Sequence, residues 1–332
     1  MKYGSLTINE LVAVAGLLNG ETGISAVLEG KDNLDTVKYG EMTLGNNEAL
    51  VNILGGMEVV EAILRGEQEV HLRKAIIKWF DKHGRSIPSR TLSASVTDPD
   101  PDYHYLEQPM LNYAERLARI VNCFSLKEPI SADEFENRAE SLLEALRADD
   151  NAKLIINGVA LPFYIPQTQV GDYGQVLSNV FLPAIERSYK AEFPKRTFYN
   201  HRRRHLADQT TIVSGSRHER FVEAMQQGNV VGVYFPNCLQ GFSVDASRKQ
   251  MASLPEMFLL AGGFDTCASM VAYPDVLARD WKTPILDLAA MQWQSVDYSL
   301  YFRAYDEDLY IDNKGPIGNS YAHHASGLVV LG

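Results

Sequence analysis

Cysteine is scarce: the chain of 332 residues has three, Cys123, Cys238 and Cys267, far apart and with no CxxC pair. An odd, scattered set disfavours both a disulfide framework and a structural zinc site. Long apolar runs are missing as well. The one nearest the start, 11–18, follows Glu10 and has only Lys2 as a basic flank, so a signal peptide is not expected. Nothing approaches the roughly 20 apolar residues that a membrane span needs. There is no repeat at a fixed period and no low-complexity tract. With 45% hydrophobic and 22% charged residues, the balance is that of a globular chain of about two domains. A soluble, cytoplasmic protein with no membrane partner is the expectation.

Positive charge is in short supply, and its distribution is uneven. The net charge is −11, and 25 of the 42 acids but only 15 of the 31 bases fall in residues 1–150. The remainder is close to neutral, yet 186–220 gathers nine Lys and Arg against four acids, with His201, His205 and His218 among them. An acidic protein repels nucleic acid at long range, so no nucleic-acid partner is expected and the basic stretch suits a small anion better. A solvated, ion-paired face is the plainer alternative.

Residues 1–150 read as an α-rich region. Helical spacing is found at 8–18, at 47–64 with Gly55-Gly56 as a possible break, and at 69–80. It returns at 110–124 and at 132–146, the last behind Ser131 as cap with Glu134 three residues on. The segment 85–108, with three of its residues proline, reads as a long loop. After Asp150 the pattern alternates. Strands are expected at 153–165, 210–214, 230–235, 257–261 and 285–290, with helices at 176–193, 217–227, 245–254 and 266–277. Near-continuous apolar strands alternating with helices predict an α/β domain over 151–332, with a mainly parallel twisted sheet covered by helices on both faces. Period-two spacing at Tyr298, Leu300 and Phe302, a turn at 306–308 and a last apolar strand at 328–331 predict an antiparallel edge.

In such a sheet, ligands bind beyond the strand ends, where loops meet helix N-termini. Three loops stand out. Ser214-Gly215-Ser216-Arg217 offers a tight turn, hydroxyl donors, a helix N-terminus and a bidentate cation for an anion. His218 beside it is the candidate acid/base. This loop has neither the lysine of a Walker loop nor G-x-G-x-x-G, so it names no cofactor. The loop 236–243 carries Asn237 and Gln240 as orienting amides and Cys238 as a candidate nucleophile, which would need a base and an electropositive setting. Gly262-Gly263-Phe264-Asp265-Thr266 would let a ligand approach the backbone, with Asp265 or Thr266 as cap. The first and third loops also read simply as capped turns, and Cys238 as a small buried hydrophobe.

Metal binding is not expected. His201 and His205 are four apart, as zinc ligands on one helical face would be, but Arg202, Arg203 and Arg204 stand between them. His323 and His324, adjacent, would point to opposite faces of a strand. Asp98, Asp100 and Asp102 start like a calcium loop, but Pro109 takes the position of its closing glutamate. The sequence therefore leads to a protein that binds a small anionic metabolite at the strand ends, as a possible hydrolase or transferase. The competing class is a non-catalytic interaction protein that docks a partner through its acidic helical half. Pocket chemistry discriminates them: a scaffold fills these loops with its own side chains.

Overall fold

The last strand of the chain lies inside the sheet rather than at its edge. The computed structural model describes residues 51–52, 55–67, 78–104, 108–127, 129–202 and 205–332. Its strands are β1 (Leu161–Ile165), β2 (Phe198–Asn200), β3 (Thr210–Ile212), β4 (Val230–Gln240), β5 (Leu259–Leu260), β6 (Ile285–Asp287), β7 (Met291–Trp293), β8 (Ser299–Tyr305), β9 (Asp308–Lys314) and β10 (His324–Leu331). The main sheet runs β1-β4-β10-β6-β8-β9-β2, with β5 also on β10, while β3 and β7 form a separate pair. β10–β6 and β9–β2 are parallel; the pairs β1–β4, β4–β10, β5–β10, β6–β8 and β8–β9 are antiparallel. The sheet is thus mixed where mainly parallel neighbours were expected. Apolar continuity reports burial on both faces, which an enclosed antiparallel strand has as well. Val231, Val233, Leu259, Leu260, Ile285 and Leu286 are core residues, as their pattern implies.

Local chemistry explains several details. Pro162 sits in β1, whose only ladder partner among the described residues is β4, and an edge strand tolerates a missing N–H. β4 is predicted to end at Phe235 but runs on through Pro236. There the β10 register skips from Ser326↔Leu239 to Leu328↔Phe235, a bulge that frees Pro236–Cys238 from the ladder. Gly327 lies opposite, where a Cβ would come within 2.2 Å of the Tyr234 ring. The β8–β9 hairpin turns on Asp306 and Glu307, both with positive φ, the type I′ geometry that matches strand twist. Of the expected strand 153–165 only β1 is extended; Lys153–Asn157 is a 3₁₀ turn.

The chain divides into two compact units, Met1–Ala75 and Ile76–Gly332. In the first, helix α1 (Met57–Leu64) follows Gly55 and Gly56, both with positive φ, so the glycine pair does break the periodic stretch. The helix expected at 8–18 and most of that at 69–80 lie outside the described residues. In the second unit, α2 (Tyr113–Phe124) and α3 (Ala132–Ala148) share one core with the sheet. Ser131 Oγ accepts from the Glu134 amide at 3.1 Å. The remaining helices are α4 (Tyr173–Val176), continued by a π-turn at Leu177–Phe181 into α5 (Leu182–Glu192), then α6 (His218–Gln227), α7 (Val244–Gln250), α8 (Gly263–Ala272) and α9 (Pro274–Leu277). All ten residues of α8 are buried, Asp265, Thr266 and Ser269 among them. Among the described residues no helix is long and apolar enough to cross a membrane.

Candidate functional site

Two of the three singled-out loops meet. The Leu260 amide donates to Ser216 O at 3.0 Å, which sets 214–218 beside 262–266. His218, Asp265, Ser216 and Thr266 are all buried there. At the N-terminus of α8, where an anion would sit, lies the hydroxyl of Tyr173. It accepts from the Gly263 amide at 2.9 Å and the Phe264 amide at 3.2 Å, and stands 2.9 Å from His218 Nε2. With both lone pairs engaged, the phenol proton must go to Nε2, so the ring proton of His218 is on Nδ1. Gly262 is required by this packing: a Cβ would fall 2.5 Å from His218 Nε2.

Burial dominates the titration of this cluster. It lowers the His218 pKa to about 3, only partly offset by the Leu260 backbone. It raises Asp265 to about 7, against the pull of the Thr266 and Gly262 amides that the carboxylate accepts. The two groups are 3.9 Å apart at their nearest, too far for a hydrogen bond. Sequence reasoning missed Tyr173, which carries no motif and reaches the loop only through the tertiary fold.

Arg217 has an equally full set of partners. Its Nη1 donates to Pro255 O and Phe258 O, its Nη2 to Met251 O and Leu254 O, all within 3.1 Å, and Glu256 lies 3.0 Å away. The guanidinium thus closes off the carbonyls that end α7 and the turn after it. Replacing Arg217 with Met should cost about 1–3 kcal/mol through stranded carbonyls, read as a lowered urea midpoint; an unchanged midpoint would show that water serves them equally well. Ser214 and Gly215 are exposed beside it.

The residues of 236–243 go elsewhere. Asn237 accepts from the Val159 amide and donates to His83 O, and Gln240 donates to Tyr103 O. Cys238 is sealed with its Sγ 3.4 Å from Gly84 O, and burial pushes its thiol well above the ordinary value, the wrong direction for a thiolate. Several cations of the basic stretch are likewise engaged within the chain, while Arg203 and Arg204 lie outside the described residues. Arg187 donates to Cys123 O, Arg196 to Arg279 O, and Arg202 pairs with Asp312. His201 and Arg202 form a turn, not the helical face on which zinc ligands four apart would sit.

The remaining chemistry gathers across β6, β8, β9 and β10. Register places Asp287 opposite Tyr301, Tyr301 opposite Asp312, and Arg303 opposite Tyr310. Asp287 is buried with Lys314 Nζ at 2.7 Å from Oδ2, while His324 Nδ1 is 3.0 Å from Oδ1 and 3.1 Å from Lys314 Nζ. Burial alone would raise the Asp287 pKa, but the imidazole and the ammonium hold it below its ordinary value. The His324 ring stands edge-on to Tyr301, 6.3 Å between centroids. Tyr301 in turn walls a cavity of about 160 Å³ with His201, Arg303, Tyr305, Tyr310 and Asp312. Tyr199, Tyr310 and His201 stack nearly parallel, within 14°. Arg303 lies 4.2 Å over the Tyr305 ring and makes no hydrogen bond or ion pair among the described residues. Alternation in β8 and β9 could have flagged this polar face; Asp287, alone in the apolar run 285–290, could have flagged the buried charge.

A larger open depression of about 500 Å³ lies between α5 and β2, but its one charged lining residue is Glu186, which disfavours an anion. No family model, curated protein or solved structure matches the chain.

Proposed function

We propose that the protein binds a small anion carrying a ring, in the cavity of Tyr301, Arg303, Tyr305, Tyr310, His201 and Asp312. Arg303 carries this reading: a guanidinium held on an aromatic face, without an acceptor among the described residues, in a concavity with aromatic walls. A free guanidinium takes a carboxylate or phosphate through two parallel N–H donors, and the tyrosine rings supply area against which a flat body packs. The small-anion reading of the sequence is kept, and its place moves from the strand-end loops to the sheet face. Arg217 and the α8 N-terminus are already engaged within the chain, which supports that move. The sealing of His218 and Cys238 supports a binding role, and no catalytic step is assigned.

Phenyl phosphate and benzoate are the probes. Calorimetric titration should show binding that weakens at least about tenfold in Arg303→Ala, the scale of a hydrogen bond to a charged group. Arg303→Lys should recover only part of it, since an ammonium lacks the fork. Equal affinity in wild type and Arg303→Ala, or no binding of either probe, would refute the proposal.

A further inference from the structure

The aromatic wall does not stop at the cavity. From Tyr301 the ring contacts continue through His324 beneath the surface to Tyr321 at 5.1 Å. They pass on to His323 at 6.0 Å, to Tyr103 at 5.0 Å and to Trp281 at 6.0 Å. The rings are tilted at 37–79° to one another, so each offers its own face or edge rather than vanishing into one stack. Trp281 is 54% exposed and Tyr321 41%. Trp281 is nonetheless held in a built turn, with the Lys282 amide on Asp280 Oδ1 and the Thr283 amide on Asp280 O. Trp281 and Tyr321 are exposed, Tyr103 and His323 are half-buried between them, and His324 is buried; a partly exposed aromatic surface of this extent suits an interaction site.

Charge selects the occupant. Along the track Lys314 is neutralised by Asp287, which leaves Arg303 at one end and Lys282, 5.4 Å from the Trp281 ring, at the other. A single-stranded nucleic acid brings a phosphate with every base and needs a basic groove to follow it; among the described residues this track offers Arg303 and Lys282 as its unpaired cations, with Asp100 close enough to act on His323, on a chain of net charge −11. A sugar chain presents apolar C–H faces at each ring, hydroxyls between them and few or no charges. The geometry points to an acidic oligosaccharide, with the carboxylate of one sugar on Arg303 and the following rings lying over Tyr321, His323 and Tyr103 toward Trp281. This inference rests on the Arg303 reading above and specifies its ligand.

The test uses the full chain and two glycan series, xylo-oligosaccharides bearing a single glucuronic acid and hyaluronan oligomers, from single sugar to hexamer. Affinity is measured by calorimetry and by tryptophan fluorescence. In at least one series it should rise tenfold or more from monomer to hexamer. Trp281→Ala should remove most of that gain and leave monomer binding unchanged, with Trp281→Phe restoring part. Tyr321→Ala should act in the same direction, and circular dichroism checks that each variant is folded. Flat affinity with length in both series, a gain untouched by both variants, or tighter binding of a thymidine hexanucleotide than of the glycan hexamers would overturn the inference. Retained, Arg303-dependent binding of phenyl phosphate in that case would leave the small-anion reading standing; loss of Arg303 dependence for every ligand would remove both.

Discussion

Asp287→Ala should destabilise the protein by about 3–5 kcal/mol, the usual cost of leaving one partner of a buried ion pair alone. The Lys314 side chain is 7% exposed and its ammonium rests on Asp287 and on His324. Without the carboxylate, a charge stays in a place water scarcely reaches. Removing both charges should therefore do less harm than removing one. Asp287→Ala with Lys314→Met is expected to recover part of the loss, and the difference from additivity measures the coupling. The pH dependence follows from the lowered pKa of Asp287. Its contribution is present above the unfolded-state value near 3.8 and fades as pH falls through the lower folded value. Denaturant midpoints at pH 7 and pH 3 read both effects. A loss that is the same at both pH values, or a double variant as weak as the single, would show that shape rather than charge is being lost.

What the sequence made legible is what short-range chemistry decides. Ser131 with Glu134, the glycine break before Met57, the turn at Asp306-Glu307 and the alternation of β8 each depend on neighbours a few positions away. Strand direction does not. The run 328–331 is apolar whether it ends a sheet or sits within one, and only the pairing of its strand β10 with both β4 and β6 reveals that the strand is central. The same limit hides the buried charges: Asp287, Lys314 and His324 come from three strands and meet through register. Arg217 shows the opposite error. Its Ser-Gly-Ser setting looks like an anion loop because the carbonyls that occupy it arrive from residues 251–258, more than thirty positions away.

The second large effect separates two buried groups that conceal each other in the wild type. Asp265 titrates at about 7 in the folded chain against an ordinary 3.8, so the folded form keeps a proton that the unfolded form loses. Its contribution to stability falls as pH rises from about 4 to 7, by roughly 4 kcal/mol at 1.36 kcal/mol per unit. His218 runs the other way. Its folded value of about 3 lies below the ordinary 6.5, so the unfolded form gains a proton that the folded form refuses as pH drops from 6.5 to 3, a loss of roughly 5 kcal/mol. Between about pH 4 and 6.5 the two slopes cancel, and the pair should leave wild-type stability flat. Single substitutions expose each slope. His218→Gln, which still offers Tyr173 an acceptor, should become less stable as pH rises across that window. Asp265→Asn should become more stable across the same window. Urea midpoints at half-unit steps from pH 4 to 7.5, with each variant referenced to wild type, give the sign directly. Two variants whose curves run parallel to the wild type would mean that neither group is held away from its ordinary protonation by burial.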